Sequence, residues 1–294
     1  MNIYLFGKTS LSGEFFYKYF NEKKSCYKIY SFSRSEKYSF KIDLKKPNSF
    51  SLINNNKFII ISFAPIWDLS YFLNYLFNNE KYKLDNLQGI ITCSSTSVIT
   101  KRFESNDFDK NLSSKLIKSE EKIIEIAKKL KIGCHIIRPT LIYGSIKRLK
   151  DKNISKILLI MRSIRLIILP SNSGLRQPIH AFQLAEVVYS LMVQSLNSGK
   201  TPQINFTNVG GDQIFEYSQM IKILKNSLKN DDRAKKCLIL PIPNRLFFIF
   251  ISPILIFSPK YFASLCRICT NLSGFKKACD ITKTDPKNFP LEVN

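Results

Sequence analysis

The chain has 294 residues, 45% of them hydrophobic, and its 45 Lys and Arg against 22 Asp and Glu give a formal net charge of +23. This length suits either two modest domains or one α/β domain with an appended lobe. The charge indicates either an anionic partner or lysines spread over a solvated surface, and the second interpretation is favoured because no long basic cluster appears. Seven irregularly spaced cysteines argue against a disulfide framework. Cys266 and Cys269 could form half of a zinc site, but no second pair follows at a suitable spacing, so a metal site is not expected.

The sequence predicts neither a secretory signal nor a membrane span. The N-terminus lacks a basic segment followed by a long apolar core. The most apolar stretch, Leu246 to Phe257, is short for a span and is interrupted by Pro253, so we expect a buried or interfacial helix pair there. We therefore expect a cytoplasmic protein, with no nucleic-acid partner because no such motif is present. A peripheral membrane contact and a homodimer are left open.

The first predicted strand and helix are joined by a turn of small residues. The strand Ile3 to Phe6 is continuously apolar, as in a parallel sheet buried on both faces, and the apolar residues of the helix have helical spacing (Phe15, Phe16, Tyr19, Phe20). This arrangement is either a dinucleotide-binding turn or an ordinary βα turn. A positive φ at Ser10 would cost roughly 1 kcal/mol. The candidate cofactor-binding residues of the turn are Gly7, Ser10, Leu11 and Gly13.

The residues after the next two strands indicate which dinucleotide is bound. Arg34 follows a predicted strand at Tyr27 to Phe32, and no acidic residue stands there to bind a ribose diol. An arginine at this place accommodates a 2′-phosphate, so NADP is favoured and NAD is left open. A short third strand is predicted at Phe40 to Leu44, in which Asp43 is either an adenine contact or a turn residue.

Three further strands complete the prediction of a doubly wound parallel sheet. Lys57 to Phe63 ends at Ala64, where a cofactor would pass, and a helix is predicted at Leu69 to Phe77. Gly89 to Cys93 runs into four hydroxyl residues, at the strand end where open α/β sheets bind ligands. The amphipathic helix Leu116 to Leu130 leads to the sixth strand, Ile132 to Ile137.

The second half of the chain mixes helical and strand patterns. The predicted helices are Ile154 to Arg165, Ala181 to Leu196 and Phe215 to Leu228, and the predicted strands are Gln203 to Val209 and Cys237 to Leu240. From Pro241 onward the sequence is aromatic and helical.

The chain resembles the extended short-chain dehydrogenase/reductase family of NAD(P)-dependent sugar-nucleotide epimerases, dehydratases and reductases. Four motifs carry this resemblance, and they occur in the order that they have in the family. They are G-x-x-S-x-x-G from Gly7, CSSTSV from Cys93, RPTLIYG from Arg138 and QPIHAFQLA from Gln177. The resemblance implies a Rossmann domain over residues 1–150 and a smaller C-terminal substrate lobe over 151–294, with segments near 176–200 returning to the first domain. It also implies a nucleotide-activated sugar as substrate and a place in polysaccharide biosynthesis.

The resemblance also assigns roles to single residues. Ser95 falls on the family's catalytic serine or threonine, with a strand-end cap as the alternative, and Pro139 falls on the loop that lines the nicotinamide. Tyr143 falls on a structural position, and His180 is interpreted as a packing histidine. Gln183 replaces a frequent aspartate.

The chief departure from the family is its Tyr-x-x-x-Lys motif, in which the tyrosinate is the general base. Placing Glu120 on the family's usual glutamate puts Leu112 and Leu116 on the tyrosine and lysine positions. A shift by two residues gives Ser114 and Lys118 instead, and Lys118 is then the candidate catalytic lysine. Two hypotheses remain open: an enzyme with a degenerate site, or a non-catalytic NADP-binding regulatory or scaffold protein.

Overall fold

Eight parallel strands form the main sheet of the computed structural model, which describes residues 1–23, 26–34, 40–102, 106–197 and 202–291. In chain order the strands are β1 Asn2–Phe6, β2 Lys28–Ser33, β3 Phe40–Lys41, β4 Phe58–Ser62, β5 Leu87–Cys93, β6 Gly133–Pro139, β7 Ile142–Tyr143, β8 Ser145–Ile146, β9 Leu149–Lys150, β10 Leu166–Pro170, β11 Leu175–Arg176, β12 Ile179–His180, β13 Ile204–Gly210, β14 Phe215–Glu216, β15 Leu238–Ile242 and β16 Lys276–Lys277. The α-helices are α1 Leu11–Glu22, α2 Ile66–Asn79, α3 Ser97–Thr100, α4 Asp107–Leu130, α5 Ile154–Ser163, α6 Ala181–Asn197, α7 Tyr217–Ser227, α8 Asn244–Ile251, α9 Pro253–Phe257, α10 Pro259–Cys266 and α11 Ala278–Thr282.

The strand order of the main sheet is β16-β13-β6-β5-β4-β1-β2-β3. Its first six strands in sequence therefore have the order 3-2-1-4-5-6 of a doubly wound dinucleotide-binding fold, which confirms the predicted fold class. The order reverses between β1 and β4, which pair directly, with Ile3 opposite Ile59. In such sheets a crevice opens outside the carboxyl ends of the strands at this point.

Helices cover both faces of the sheet, so its central strands are buried on both sides. Every residue of β1 and β4 is buried. Tyr4 and Phe6 face the core formed with α2 and α4, whereas Ile3 and Leu5 face the core formed with α1 and α6. Burial on both faces explains why these two strands are continuous apolar runs rather than alternating ones.

The returning part of the chain is larger than the predicted segments near 176–200. Besides α6, which packs on α1, the strands β13 and β16 extend the main sheet beyond β6. Helix α11 also packs on α6. In the lobe, β10 and β15 pair in parallel, and α5 and α7 contribute to a separate core. A small fourth cluster lies beneath α8 and α10.

Several predicted boundaries are wrong. Helix α4 begins at Asp107, not near residue 116, because the Asn106 side chain caps it by accepting a hydrogen bond from the Asp109 amide. Phe215 is not helical, since it pairs with Arg176 in a short strand pair before α7 begins. The third strand ends at Lys41, before Asp43.

Candidate functional site

Most of the predicted site residues follow the carboxyl ends of parallel strands and so lie along one edge of the sheet. The site residues that end or follow β1 to β6 are Gly7, Arg34, Asp43, Ala64, Ser95 and Pro139. Because these strands are parallel, the structure places all six at the edge where doubly wound sheets bind ligands. Because the strand order reverses between β1 and β4, Gly7 and Ala64 lie at the centre of that edge.

Two positions of the first turn have room only for glycine. Gly7 has φ +78°, and a Cβ on it would lie 2.7 Å from the carbonyl carbon of Phe63. A Cβ on Gly13 would lie 2.9 Å from the carbonyl carbon of Gly7. Glycine therefore allows the chain to turn beside β4 at Gly7 and lets α1 approach β1 at Gly13.

Ser10 does not adopt the positive φ whose cost was weighed from the sequence. Its φ is −81° and its ψ is 160°, so the expected strain of a positive φ is absent. The residue is the N-cap of α1, and its hydroxyl donates to the Gly7 carbonyl at 2.7 Å and accepts from the Gly13 amide at 3.1 Å. Such a cap satisfies one of the amides that a helix N-terminus otherwise leaves free.

The remaining donors of the turn fit a diphosphate group. Among the described residues, the amides of Leu11 and Ser12 in the first turn of α1 have no hydrogen-bond acceptor. The positive end of the helix dipole lies at the same place. The acid in this turn, Glu14, is paired with Lys147, which offsets its charge. The chemistry of this donor set therefore suits the pyrophosphate of a dinucleotide.

The two residues proposed to contact the adenosine half of the cofactor are Arg34 and Asp43. Arg34 is exposed directly after β2. Asp43 accepts a hydrogen bond from the Lys45 amide at 3.0 Å through its side chain, and its carbonyl accepts from the Lys46 amide at 2.8 Å. These bonds are those of a turn residue, which was one of the two interpretations. Its adenine contact stays a prediction.

Ser95 and Pro139 are brought together through Thr96. The amide and the hydroxyl of Thr96 both donate to the Pro139 carbonyl at 3.1 Å, which fastens the loop after β5 to the end of β6. The Ser95 hydroxyl donates to the Ser97 hydroxyl at 3.0 Å and accepts from the Ser97 amide at 3.1 Å. Ser95 therefore acts as a local cap, and its role toward a substrate stays a prediction.

Two buried side-chain oxygens near this loop have no partner in the part of the protein that the structure describes. Among the described residues, the side-chain oxygens of Thr92, Ser94 and Asn208 are buried without a hydrogen-bond partner, and those of Ser94 and Asn208 are the two beside this loop. Asn208 is opposite Arg138 in the sheet, and the Ser94 amide bonds to Ile137 beside it. Buried polar atoms are normally satisfied, so these two are candidates for contact with a ligand. The hydroxyl run at Ser94 was a sequence signal, whereas nothing marked Asn208.

The contact between α4 and β6 shows which side of α4 faces the sheet. Glu120 accepts from the Arg138 Nε at 3.0 Å and also from its Nη2, so Glu120 faces the sheet. On the same side, Leu116 is buried in the core and Leu112 packs against it. In the register based on Glu120 these two leucines stand where the resemblance expects tyrosine and lysine, and the choice between the two registers stays a prediction.

Lys118 lies on the solvent-exposed side of α4. Lys118 and Ser114 are both exposed, and they line a surface groove between α2 and α4 together with Trp67. Ser95 is not among the residues that line this groove. The geometry therefore gives Lys118 no contact with Ser95, and its catalytic role stays a prediction.

Tyr143 and His180 are held in the interior. The Tyr143 hydroxyl accepts from the Leu291 amide at 2.9 Å, and burial raises its pKa to about 12. His180 stacks edge-on against Tyr143, and its Nδ1 accepts from the Phe182 amide at 3.1 Å. Burial, with a smaller effect of Lys287, lowers the pKa of His180 to about 4. Both groups are therefore neutral near pH 7. That they serve packing alone stays a prediction, since both also line a cavity in the lobe.

Gln183 belongs to a buried hydrogen-bond network that the sequence did not reveal. Its side chain accepts from the His180 amide at 3.0 Å and donates to Asp212 at 2.8 Å. Asp212 in turn accepts from the amides of Cys279 and Lys287, each at 2.8 Å. Asp212 thus joins α6 to the C-terminal segment, and its role is structural.

Solved structures with the same fold include epimerases and a dehydratase. Human epimerase family protein SDR39U1, solved with NADPH, has a TM-score of 0.63 and 10% identity, with 99% of this chain and 96% of that chain covered. UDP-N-acetylglucosamine 4-epimerase from Bacillus cereus has a TM-score of 0.60 and 14% identity, with 98% and 94% covered. dTDP-glucose 4,6-dehydratase from Bacillus anthracis, solved in complex with NAD, has a TM-score of 0.59 and 14% identity, with 98% and 92% covered.

These similarities confirm the fold that the resemblance implied, across nearly the whole chain. At 10–14% identity they show the fold alone. No protein-family model matches the sequence, and no curated protein matches it.

Proposed function

We propose that this chain binds NADP(H) along the carboxyl edge of its sheet and takes a nucleotide-activated sugar between that edge and the C-terminal lobe. The observation that carries the proposal is the glycine turn at the point where the strand order reverses. Structures of the same fold were solved with NADPH or NAD, and their names include a UDP-sugar epimerase and a dTDP-sugar dehydratase.

The residues that would hold the cofactor follow from their places along the edge. Gly7, Ser10, Leu11 and Gly13 would surround the pyrophosphate, with the free amides of α1 as donors. Arg34 would bind the 2′-phosphate, and Ala64 and Asp43 would line the adenosine. Pro139, fastened to the loop that contains Ser95, would lie beside the nicotinamide.

A bound nicotinamide supplies hydride acceptance and donation. The protein has to orient the sugar and to move a proton at the reacting hydroxyl, and Ser95 is the residue proposed to hydrogen-bond that oxygen. Leu112 and Leu116 have no proton to exchange, and Tyr143 is engaged with Leu291 and stays protonated. General acid–base catalysis typically contributes about 10²–10⁴-fold, so turnover should be slow.

A second candidate function is a cofactor-binding protein without turnover that regulates or supports a partner. The observation that favours it is the burial of Leu116 in the core at the lysine position. All seven cysteines are free thiols, which suits the reducing cytoplasm under either function. A place in polysaccharide biosynthesis would follow only from the first candidate.

Titration calorimetry with NADPH and NADH tests the proposal. The unaltered protein should bind NADPH about tenfold or more tightly than NADH, since the 2′-phosphate adds a charged hydrogen bond. Arg34→Ala should remove most of this difference, whereas Lys128→Ala, an exposed lysine on α4, should not. A preference for NADH in the unaltered protein would overturn the assignment of NADP.

A measurement of turnover distinguishes the two candidate functions. With NADPH or NADP bound, a slow exchange of hydride with UDP- or dTDP-sugars that falls further in Ser95→Ala supports the degenerate enzyme. Cofactor binding without any turnover supports the second candidate.

A further inference from the structure

The C-terminal lobe exposes a continuous apolar segment. Residues 246–259 contain no charged residue, and most of their large side chains face solvent. Ile256 and Phe257 are 83% and 85% exposed. The other exposed members are Leu246, Phe248, Ile249, Phe250 and Leu255. Contiguous apolar surface of this kind on a folded protein marks an interaction site.

The local fold explains why these side chains stay outside. Pro253 and Pro259 begin α9 and α10, so the segment forms three short helices instead of one. Phe247 and Ile251 of α8 are buried in the small cluster with Ile268, and α9 buries no residue. We call the exposed side of α8–α10 the apolar face. Phe247 and Ile251 anchor the face to the lobe, Lys156 and Phe108 contact its α10 end through Tyr261 and Lys260, and Ile256 and Phe257 remain exposed.

The apolar face lies in a part of the chain that has no acidic residue. Between positions 233 and 279 the sequence contains no Asp or Glu and eight basic residues, which are Arg233, Lys235, Lys236, Arg245, Lys260, Arg267, Lys276 and Lys277. Arg245 and Lys260 directly flank the uncharged segment and are exposed. The neighbouring helix α5, which contacts α10 where Lys156 lies over the Tyr261 ring, also contains no acid. An apolar surface with a basic border complements an anionic lipid surface.

The dimensions allow this segment to lie on a bilayer but not to cross one. Among the described ranges, no helix is both long and apolar enough to span a membrane. Helix α8 has eight residues and is about 12 Å long, so it can only rest in the interfacial plane. A second copy of the chain is a poorer occupant, because it would bring the exposed Arg245 and Lys260 of two copies together.

We infer that the apolar face docks on an anionic phospholipid bilayer. The side chains of Ile256 and Phe257 enter the boundary between headgroups and acyl chains, and Arg245 and Lys260 contact lipid phosphates. This interaction is independent of the proposed cofactor site, which lies at the carboxyl edge of the main sheet.

Vesicle flotation of the full chain tests the inference. Vesicles of equal parts phosphatidylcholine and phosphatidylglycerol should bind the protein, more weakly as salt rises, and pure phosphatidylcholine vesicles should bind it at least tenfold less. The double variant Ile256→Ser/Phe257→Ser should reduce binding at least tenfold. Both side chains are exposed, so circular dichroism should show an unchanged fold. The matched control is Tyr71→Ser/Tyr82→Ser, which removes two exposed aromatic residues from the first half of the chain and should leave binding unchanged.

A second pair of variants tests the basic border separately. Arg245→Gln/Lys260→Gln should weaken binding to the anionic vesicles several-fold, whereas Lys81→Gln/Lys128→Gln, with the same loss of charge elsewhere, should not. Absence of binding by the unaltered protein would overturn the inference, as would equal losses in the test and control pairs. A lipid-free dimer that Ile256→Ser/Phe257→Ser dissociates, without any vesicle binding, would show that a second copy covers the face instead.

Discussion

Ser10 is the residue at which the first turn departs most from a glycine-rich dinucleotide loop. Its hydroxyl caps α1 and occupies the Gly13 amide. A cap of this kind stabilises the helix, but it removes one donor from the set that faces an anion. Stability and cofactor affinity should therefore change in opposite directions when Ser10 is replaced.

Two substitutions of Ser10 separate these effects. Ser10→Ala should lower the free energy of unfolding by about 0.5–2 kcal/mol, and Ser10→Gly by only a few tenths. Ser10→Gly should also bind NADPH several-fold more tightly than the unaltered protein, since the Gly13 amide becomes free without an added side chain. Urea unfolding and titration calorimetry measure the two quantities. Unchanged or weaker NADPH affinity in a folded Ser10→Gly protein would contradict the placement of the pyrophosphate.

Single residues were predictable where the backbone itself imposes the requirement. The sequence identified Gly7 and Gly13, because a small-residue turn after an apolar run has a local signature. It could not identify Asp212, whose partners Gln183 and Cys279 are 29 and 67 positions away. Hydrogen bonds between such distant positions leave no periodic pattern.

Helix α4, too, could be predicted from the sequence only in part. Its second half was predicted from apolar periodicity, but its start at Asp107 was not. The buried side chains of the first half include Asp109 and Ser113, which bond to Lys101, Arg267 and the Val98 carbonyl. Where a helix buries polar groups against partners, hydrophobic spacing does not reveal it.

The ion pair between Glu120 and Arg138 holds α4 against β6, and breaking it should be costly. The two side chains are 3% and 16% exposed. Glu120→Ala should lower the free energy of unfolding by about 3–5 kcal/mol, because a nearly buried guanidinium loses its partner. The double variant Glu120→Leu/Arg138→Met should lose much less. Urea unfolding provides the comparison.

Glu125 offers a matched control on the same helix. It pairs with Lys122 and Lys129 at the surface, and such exposed pairs contribute little. Glu125→Ala should leave the unfolding midpoint unchanged within error. Equal losses in Glu120→Ala and Glu125→Ala would show that the buried pair does not fasten α4 to the sheet.

At the scale of the molecule, the two halves of the chain are joined by contacts that no segment reveals alone. Asp109 of α4 pairs with Lys101 at 2.5 Å and with Arg267 of the lobe at 2.6 Å. Burial would raise the pKa of Asp109, but hydrogen bonds from Lys101, Asn106 and Arg267 outweigh it and hold the pKa below its usual value. The central strands β1, β4, β5 and β6 were predictable because they are long and apolar, whereas the two-residue strands β11, β14 and β16 are too short for any periodicity.

Because two histidines are buried, the free energy of unfolding should depend on pH even at pH values above those at which carboxylates titrate. His135 bonds to Thr207 between β6 and β13 at 2.8 Å, and His180 begins the segment that leads into α6. Burial lowers the pKa of each to about 4, with smaller effects of Lys276 and Lys287 respectively. In the unfolded chain their pKa is near 6.5. Between these values the unfolded chain binds protons that the folded protein does not.

The free energy of unfolding should therefore be fully retained above about pH 7 and fall as the pH decreases from 6.5 toward 4. Each histidine should contribute a loss of about 1–2 kcal/mol between pH 7.5 and pH 5. Urea unfolding at these two pH values measures the loss, and the double variant His135→Asn/His180→Asn should abolish most of the difference. Equal stability of the unaltered protein at both pH values would contradict this account, because neither imidazole would then be held neutral by the fold.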